Sequence, residues 1–340
     1  MSKLTLKEIA AHFKVSIATV SKALKDSHEI SEELKVKIKL YAKENHYRPN
    51  KLALNLFNKS TKTIGVVIPN ILNYFFVQVL YGIEKVANEK GYSIITCITN
   101  QSLEKETKTL ELLGTGSVDG VIISSAAEES ELEEHAEHLN ELSENQIPLV
   151  MFDRVTDLVD CDKVIVDDFE AGYMATNFFL DTGCETIAII TPIEDSVISR
   201  LRIEGYKKAL EEKEMEYDEK LVVATDDKED LNLTLSLLLN YKKIEGIMVL
   251  DEITAVKVMS IVKARGYHVP KDVSIIGFTN GELSKYVTPS MTMVSQHGKY
   301  IGETVSKILI DRIENNGSNK PFETKIVKTS LVVRDSTIKL

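Results

Sequence analysis

Hydrophobic positions fall at helical spacing through the first 45 residues and in short unbroken runs after them. Leu6, Ile9, Ala10 and Phe13 share one helical face, and Thr5 followed by Glu8 has the form of a capping box. Ser16 can cap a second helix over about 17–24, with Val20, Ala23 and Leu24 inward. The short link Phe13-Lys14-Val15 between these helices predicts a helix-turn-helix. Ser31 can cap a third helix over about 32–45, with Leu34, Ile38, Tyr41 and Ala42 inward. Pro49 ends it, because a proline pushes its predecessor out of the α region. Asn50 can cap one more helix, of about seven residues. Helix nucleation is costly, so a helix that short is expected to form only on a partner.

From residue 61 the pattern alternates between strand-like and helix-like runs. Ile64-Gly-Val-Val-Ile68 is continuously apolar, as in a parallel strand buried on both faces. A helix is expected over about 74–90, then a strand from Tyr92 to Thr99, a helix over Glu104–Leu113 and a strand over Val118–Ser124. An acidic helix over 129–145 and a strand over Pro148–Asp153 follow, and the alternation resumes from Lys163 to Phe278. Repeated βα units predict doubly wound parallel sheets. About ten units exceed one ordinary sheet, so two α/β lobes are expected, broken at the Asp-rich stretch 154–163.

Composition narrows the class. Hydrophobic residues are 43% and charged residues 27% of the 340, ordinary for a soluble globular protein. No stretch reaches the ~18 apolar residues of a membrane helix, and the polar start lacks a signal-peptide pattern, so a cytoplasmic protein is expected. Cys97, Cys161 and Cys184 are too scattered for a disulfide framework or a paired metal motif. The net charge of −11 hides a division. Residues 1–62 carry 13 Lys/Arg against 6 Asp/Glu, and the rest carries 28 against 46. A basic head on an acidic body is an electrostatic footprint for nucleic acid.

The outer side of the second helix sharpens that reading. It carries Ser16, Ile17, Ala18, Thr19, Ser21, Lys22 and Lys25, with no acidic residue. Small side chains allow close approach to DNA, and hydroxyls at a helix N-terminus suit phosphate oxygens. Ile17 and Ala18 can meet thymine methyl groups, while Lys22 can donate to guanine O6 and N7.

The head resembles the lactose-repressor (LacI/GalR) family of bacterial transcription regulators. The resemblance rests on Thr5-Leu-Lys-Glu-Ile-Ala-Ala, Val15-Ser16, Thr19-Val20-Ser21-Lys22-Ala23-Leu24 and Asn45-His-Tyr-Arg-Pro-Asn50, without a gap. It implies a helix-turn-helix DNA-binding domain over 1–48 and a hinge helix and linker over 49–60. Thr5 and Asn50 join the DNA contacts, and Ala53 and Leu56 enter the minor groove, where Leu56 wedges a base step. Lysine stands at position 22, where the family usually has arginine. The core, 61–340, looks like a periplasmic sugar-binding protein of two doubly wound lobes. The resemblance implies three crossings, expected near 161, 290 and 322. They give lobe one as about 61–161 and 291–322, and lobe two as about 162–290 and 323–340.

Ligands of parallel sheets bind beyond the carboxyl ends of the strands, so the cleft between the lobes is the expected effector site. Phe75 and Phe76 follow the first strand and could stack on a ligand or pack in the core. Ser124 ends one strand, and Asp153 with Arg154 ends another. The resemblance adds Arg202, from the R-x-x-G-aromatic motif Arg202-Ile-Glu-Gly-Tyr206. It also adds Asp251, and Asn280 and Gln296 as amide contacts. Thr279 stands where the family usually has aspartate.

Other motifs are weaker. Gly114-Thr-Gly116 through Gly120 lies between helix and strand in the wrong order for a dinucleotide. His135 and His138 lack a third metal ligand and read as a solvated helix face. No nucleophile–base pair is legible. The expectation is a homodimeric repressor of a carbohydrate-utilisation operon, without catalytic residues, cofactor or metal. Its partners would be palindromic double-stranded operator DNA and a sugar-like effector. A transport protein would need the missing signal peptide, and an enzyme a catalytic constellation.

Overall fold

The computed structural model describes residues 4–47, 60–126, 136–192, 196–225, 231–315 and 320–339. The chain divides into two compact units, Met1–Thr61 and Lys62–Leu340.

The first unit holds helices α1 (Leu6–Phe13), α2 (Ile17–Leu24) and α3 (Glu32–Glu44). The capping box on α1 forms as the sequence predicts: Glu8 N–H donates to Thr5 Oγ1 at 3.3 Å, and Thr5 N–H donates back to Glu8 at 2.7 Å. Lys14, at φ 54°, turns the chain between α1 and α2. Ile9, Ala10, Val20, Ala23, Ile38 and Ala42 form the buried core of the three helices.

The second unit contains two six-stranded sheets. Lobe one begins with β1 (Thr63–Ile68), α4 (Tyr74–Glu89), β2 (Ser93–Ile98), α5 (Leu103–Gly114), β3 (Gly120–Ile123), α6 (Glu137–Glu144), β4 (Leu149–Phe152) and β5 (Asp162–Val166). Lobe two follows with α7 (Asp168–Asp181), β6 (Ile187–Thr191), α8 (Val197–Glu212), β7 (Val222–Ala224) and α9 (Leu231–Tyr241). It goes on with β8 (Gly246–Val249), α10 (Glu252–Ala264), β9 (Ser274–Phe278), α11 (Leu283–Tyr286) and β10 (Thr292–Ser295). The last elements are α12 (Gly298–Glu314), β11 (Thr324–Val327) and β12 (Ser330–Val332). The first sheet runs β11-β5-β4-β3-β1-β2, and the second β12-β10-β9-β8-β6-β7. All recorded pairings are parallel except β10 with β12.

The crossings lie later than the positions expected near 161, 290 and 322. β5 pairs with β4, so the chain leaves lobe one after Val166. β10 pairs with β9, so it returns after Ser295, and α12 then packs on α4. β11 pairs with β5, so the last crossing follows Val327. The Asp-rich stretch misleads because its end, from Asp162, is already strand, with the carboxylate paired to a residue distant in sequence. Asp162 accepts from Arg312 Nε at 2.8 Å and Nη2 at 3.0 Å, and sits in the sheet at 3% exposure.

Glycines let one pair of helices touch in each lobe. A Cβ on Gly302 of α12 would lie 2.0 Å from the Val79 carbonyl oxygen of α4, and one on Gly172 of α7 would lie 2.0 Å from that of Arg202 in α8. The acidic helix expected over 129–145 is described from Glu137 onward, and His135 lies outside the described residues. His138 is not on a solvated face. Its imidazole is buried, 2.9 Å from the fully buried Glu106 carboxylate on α5.

Candidate functional site

Among the described residues of the head, α2 begins without a carboxylate in its first turn. Ser16 caps α2, accepting from Thr19 N–H at 3.0 Å. Val20 and Ala23 anchor the helix in the core. Ser16, Ile17, Ala18 and Lys22 are therefore exposed, and Thr19 and Ser21 half-buried. Ile17 is 49% exposed, so its side chain is accessible to the thymine methyl groups of a major groove. Thr5 is exposed, with its hydroxyl donating to Glu8 at 2.9 Å. Lys22 pairs with Glu29, a partner that helical periodicity does not predict. Asn50, Ala53 and Leu56 lie outside the described residues.

In the body, the strand ends carry the polar groups. Arg202 projects from α8 and is 5% exposed. Its Nε donates to Asp168 Oδ1 at 2.8 Å and Nη1 to the Leu250 carbonyl at 3.1 Å, while its guanidinium lies 4.3 Å from the Phe278 ring centre. Asp168 is the first residue of α7, two residues beyond β5, a strand end passed over in the sequence. Burial raises its carboxyl above the usual range, and Arg202 opposes that.

Asp153, at the end of β4, joins this cluster from lobe one. Desolvation pushes its carboxyl up to about 6; Arg154 and Arg202 draw it down and Asp168 pushes it further up. The residue has φ 60°, a left-handed conformation that costs a non-glycine residue energy. Ser124 is fully buried, and its hydroxyl has no hydrogen-bond partner among the described residues. Asp251 caps α10, with Oδ1 accepting from Thr254 N–H at 2.9 Å. Its other oxygen, Oδ2, is buried with no hydrogen-bond partner among the described residues. A buried carboxylate oxygen in that state is an acceptor awaiting a donor.

The remaining expected effector residues are engaged with the protein. Phe75 and Phe76 are 3% and 4% exposed in the core of lobe one, where Phe76 meets Phe152 edge-on. They pack inward because α4 turns that face onto its sheet, so a stacking role gains no support. The Asn280 side-chain oxygen accepts from Arg334 at 2.6 Å, and its carbonyl accepts from Gln78 of lobe one at 3.3 Å. Gln296 is buried and accepts from the Thr279 hydroxyl at 3.2 Å. Thr279, in the position usual for aspartate, thus spends its hydroxyl inside the protein. Neither Gln78 nor Arg334 was legible as a partner, because each pairing spans a long stretch of sequence.

Among the described residues, no group of three or more His, Cys, Asp or Glu is placed to hold a metal ion, and no helix is long and apolar enough to cross a membrane.

Known proteins share both parts of this arrangement. A family model described as bacterial regulatory proteins, lacI family, matches residues 5–50, and a periplasmic binding protein-like domain matches 176–337. A ribose operon repressor from Halalkalibacterium halodurans is 32% identical, covering 98% of this chain and 97% of its own. A LacI family transcriptional regulator from Enterococcus faecium, solved with bound ribose, is 28% identical, with TM-score 0.70 over 82% of this chain and 99% of its own. The Lac repressor dimer bound to operator and an anti-inducer superposes with TM-score 0.84, covering 99% of this chain and 100% of its own. Its 21% identity extends that likeness to the fold alone.

Proposed function

The chain belongs to the lacI family of bacterial regulatory proteins, and on that premise we propose that it represses a carbohydrate-utilisation operon in the cytoplasm. It binds operator DNA through its helix-turn-helix head and a small-molecule effector through its two-lobed body. In this reading it is not an enzyme, and it takes no cofactor.

The observation that carries the effector site is the cluster of Arg202, Asp168, Asp153 and Ser124 at the strand ends, drawn from both lobes. A sugar hydroxyl can donate to a carboxylate and accept from a guanidinium, so this set suits a polyhydroxylated ligand. The open Asp251 Oδ2 supplies a further acceptor from lobe two. Arg202, Asp153, Ser124 and Asp251 are the proposed effector contacts.

For DNA, Ser16, Ile17, Ala18, Thr19, Ser21 and Lys22 are proposed to meet the major groove, and Ala53 and Leu56 the minor groove. Two heads of a homodimer would read a palindrome, since one head spans few base pairs. Effector in the cleft would bias the angle between the lobes, and hinge folding and operator binding would follow. The coupling expected is about 1–3 kcal/mol.

The test pairs two measurements on the purified protein. A thermal-shift screen with ribose, xylulose, cellobiose and guanine would find the ligand class. Binding to duplexes selected by the protein itself would then be titrated with each hit. A sugar that raises the melting temperature and changes operator affinity supports the reading. A purine as the sole hit would overturn the carbohydrate assignment, and a chain that selects no DNA sequence would overturn the whole.

A further inference from the structure

Lys22 does not hang free from the recognition face. Its ammonium forms an ion pair with the Glu29 carboxylate, with the side chains 48% and 54% exposed. The turn carrying Glu29 is pinned at several points. Ser27 N–H donates to the Lys22 carbonyl at 3.0 Å, and Ile30 N–H to the Ser27 carbonyl at 3.3 Å. Glu29 N–H donates to Ser27 Oγ at 3.4 Å. Asp26, at φ 60°, pairs with Lys39 of α3, and Ile30 packs against the core of the head. The carboxylate is thus presented from a braced turn.

That geometry changes what a lysine can do. An ammonium has three N–H donors on a flexible stem, and unlike a guanidinium it has no built-in fork. An unrestrained lysine beside DNA gains as much from any phosphate as from a base. Such contacts release counterions without reading sequence. A lysine held by one N–H keeps two donors in a restricted arc. Guanine offers two acceptors, O6 and N7, on its major-groove edge. The ion pair also cancels the charge that would bind phosphate indiscriminately.

We propose that Glu29 is a specificity-determining residue of the head, tethering Lys22 so that its ammonium reads guanine as a two-donor fork. The proposal rests on Lys22 being a base contact, as argued above. Glu29 itself touches Lys22 and acts through it.

The experiment uses the full-length protein and three variants: Glu29→Gln, Lys22→Ala and the double substitution. Each is put through selection from random duplex DNA. Each is also titrated, over a range of salt, against the parent's selected duplex and a random-sequence duplex. Lys22→Ala should lose a G·C preference at one position per half-site. Glu29→Gln should weaken that same preference roughly tenfold, leaving the other positions alone. It should also bind the random-sequence duplex several-fold more tightly, with a log–log salt slope steeper by about one per head. In the Lys22→Ala background, Glu29→Gln should move neither the preference nor the slope. A Glu29→Gln protein that keeps the parent's preference overturns the tether. So does an equal gain in random-sequence binding with Lys22 absent, which would make Glu29 a bulk charge. If Lys22→Ala itself keeps the G·C preference, the base-contact reading fails first, and the tether with it.

Discussion

Arg202 and Asp168 form a buried ion pair between two helices of lobe two, with Nε and Nη2 both 2.8 Å from a single carboxylate oxygen. Both side chains are 6% exposed. The arginine expected to meet the effector is therefore held in place before any effector arrives. Asp168 orients it, and the Phe278 ring flanks it. A preoriented guanidinium loses less freedom when the ligand binds.

Removing one member of such a pair strands the other in low dielectric. Arg202→Ala should lower unfolding stability by about 3–5 kcal/mol as well as abolish the effector response. Arg202→Met combined with Asp168→Asn should recover much of the stability and none of the response. Urea unfolding and calorimetry separate the two effects. A single variant that unfolds at the parent's midpoint would show that the pair bears no weight.

Asp153 gives the cleft a pH dependence. Its carboxyl titrates near about 6, against an ordinary aspartate value of about 3.9. Between those values the folded chain holds a proton that the unfolded chain has released, so stability falls as pH rises through that window and levels above it. Asp153→Asn should flatten this slope and stabilise the protein at pH 7 relative to the parent. Chemical denaturation at pH 5 and pH 7 is the check, and an unchanged slope in the variant would remove Asp153 as the source.

The three described helices of the head were legible almost to the residue because their signals are local. Thr5 and Ser16 cap their helices with side-chain hydrogen bonds, Ser31 stands at the third N-cap position without one, and Ile9, Val20 and Ile38 each face inward from their own helix. The strands β1, β3 and β4 were legible because burial on both faces leaves unbroken apolar runs. The crossings were displaced because Asp162 looks like a loop residue until Arg312, far along the chain, pairs with it. The same limit applied to the cleft. Asp153 could be named from its place at a strand end, and Arg202 from the family's motif. That Asn280 belongs to Arg334, and Gln296 to Thr279, depends on contacts that no spacing rule contains. Phe76 followed a strand as a ligand contact would, yet α4 turns it onto Phe152.

The glycine crossings are places where a methyl group is not tolerated. At Gly302 and Gly172 the obstructing atom is a backbone carbonyl oxygen, which cannot rotate aside as a side chain can. Gly302→Ala and Gly172→Ala should each cost about 3 kcal/mol or more, near the upper range for overpacked sites. Gly91→Ala is the contrast. It has φ 75° and open space around the added carbon, so only the left-handed strain of about 1–2 kcal/mol applies. Urea midpoints for Gly302→Ala and Gly172→Ala should both fall below that of Gly91→Ala, and equal losses would mean that the helix crossings are not tight.

Leu56 tests the link from effector to DNA. The residue lies outside the described residues, in the segment 49–60 proposed as a hinge, and its proposed role rests on the resemblance to the family. A leucine wedged into a minor-groove step stabilises unstacked, bent DNA, so its loss should reduce bending while leaving the half-site preference set by α2 intact. Leu56→Ala should therefore bind its selected operator more weakly, bend it less and keep the parent's sequence logo. Its effector response should shrink too, because the hinge would be the element that effector biases. Circular-permutation gel shifts measure the bend, and an effector titration on the same duplex measures the response. A variant that bends DNA like the parent removes the wedge. One that bends less yet keeps the full effector response separates wedging from communication, and would put the coupling elsewhere in the chain.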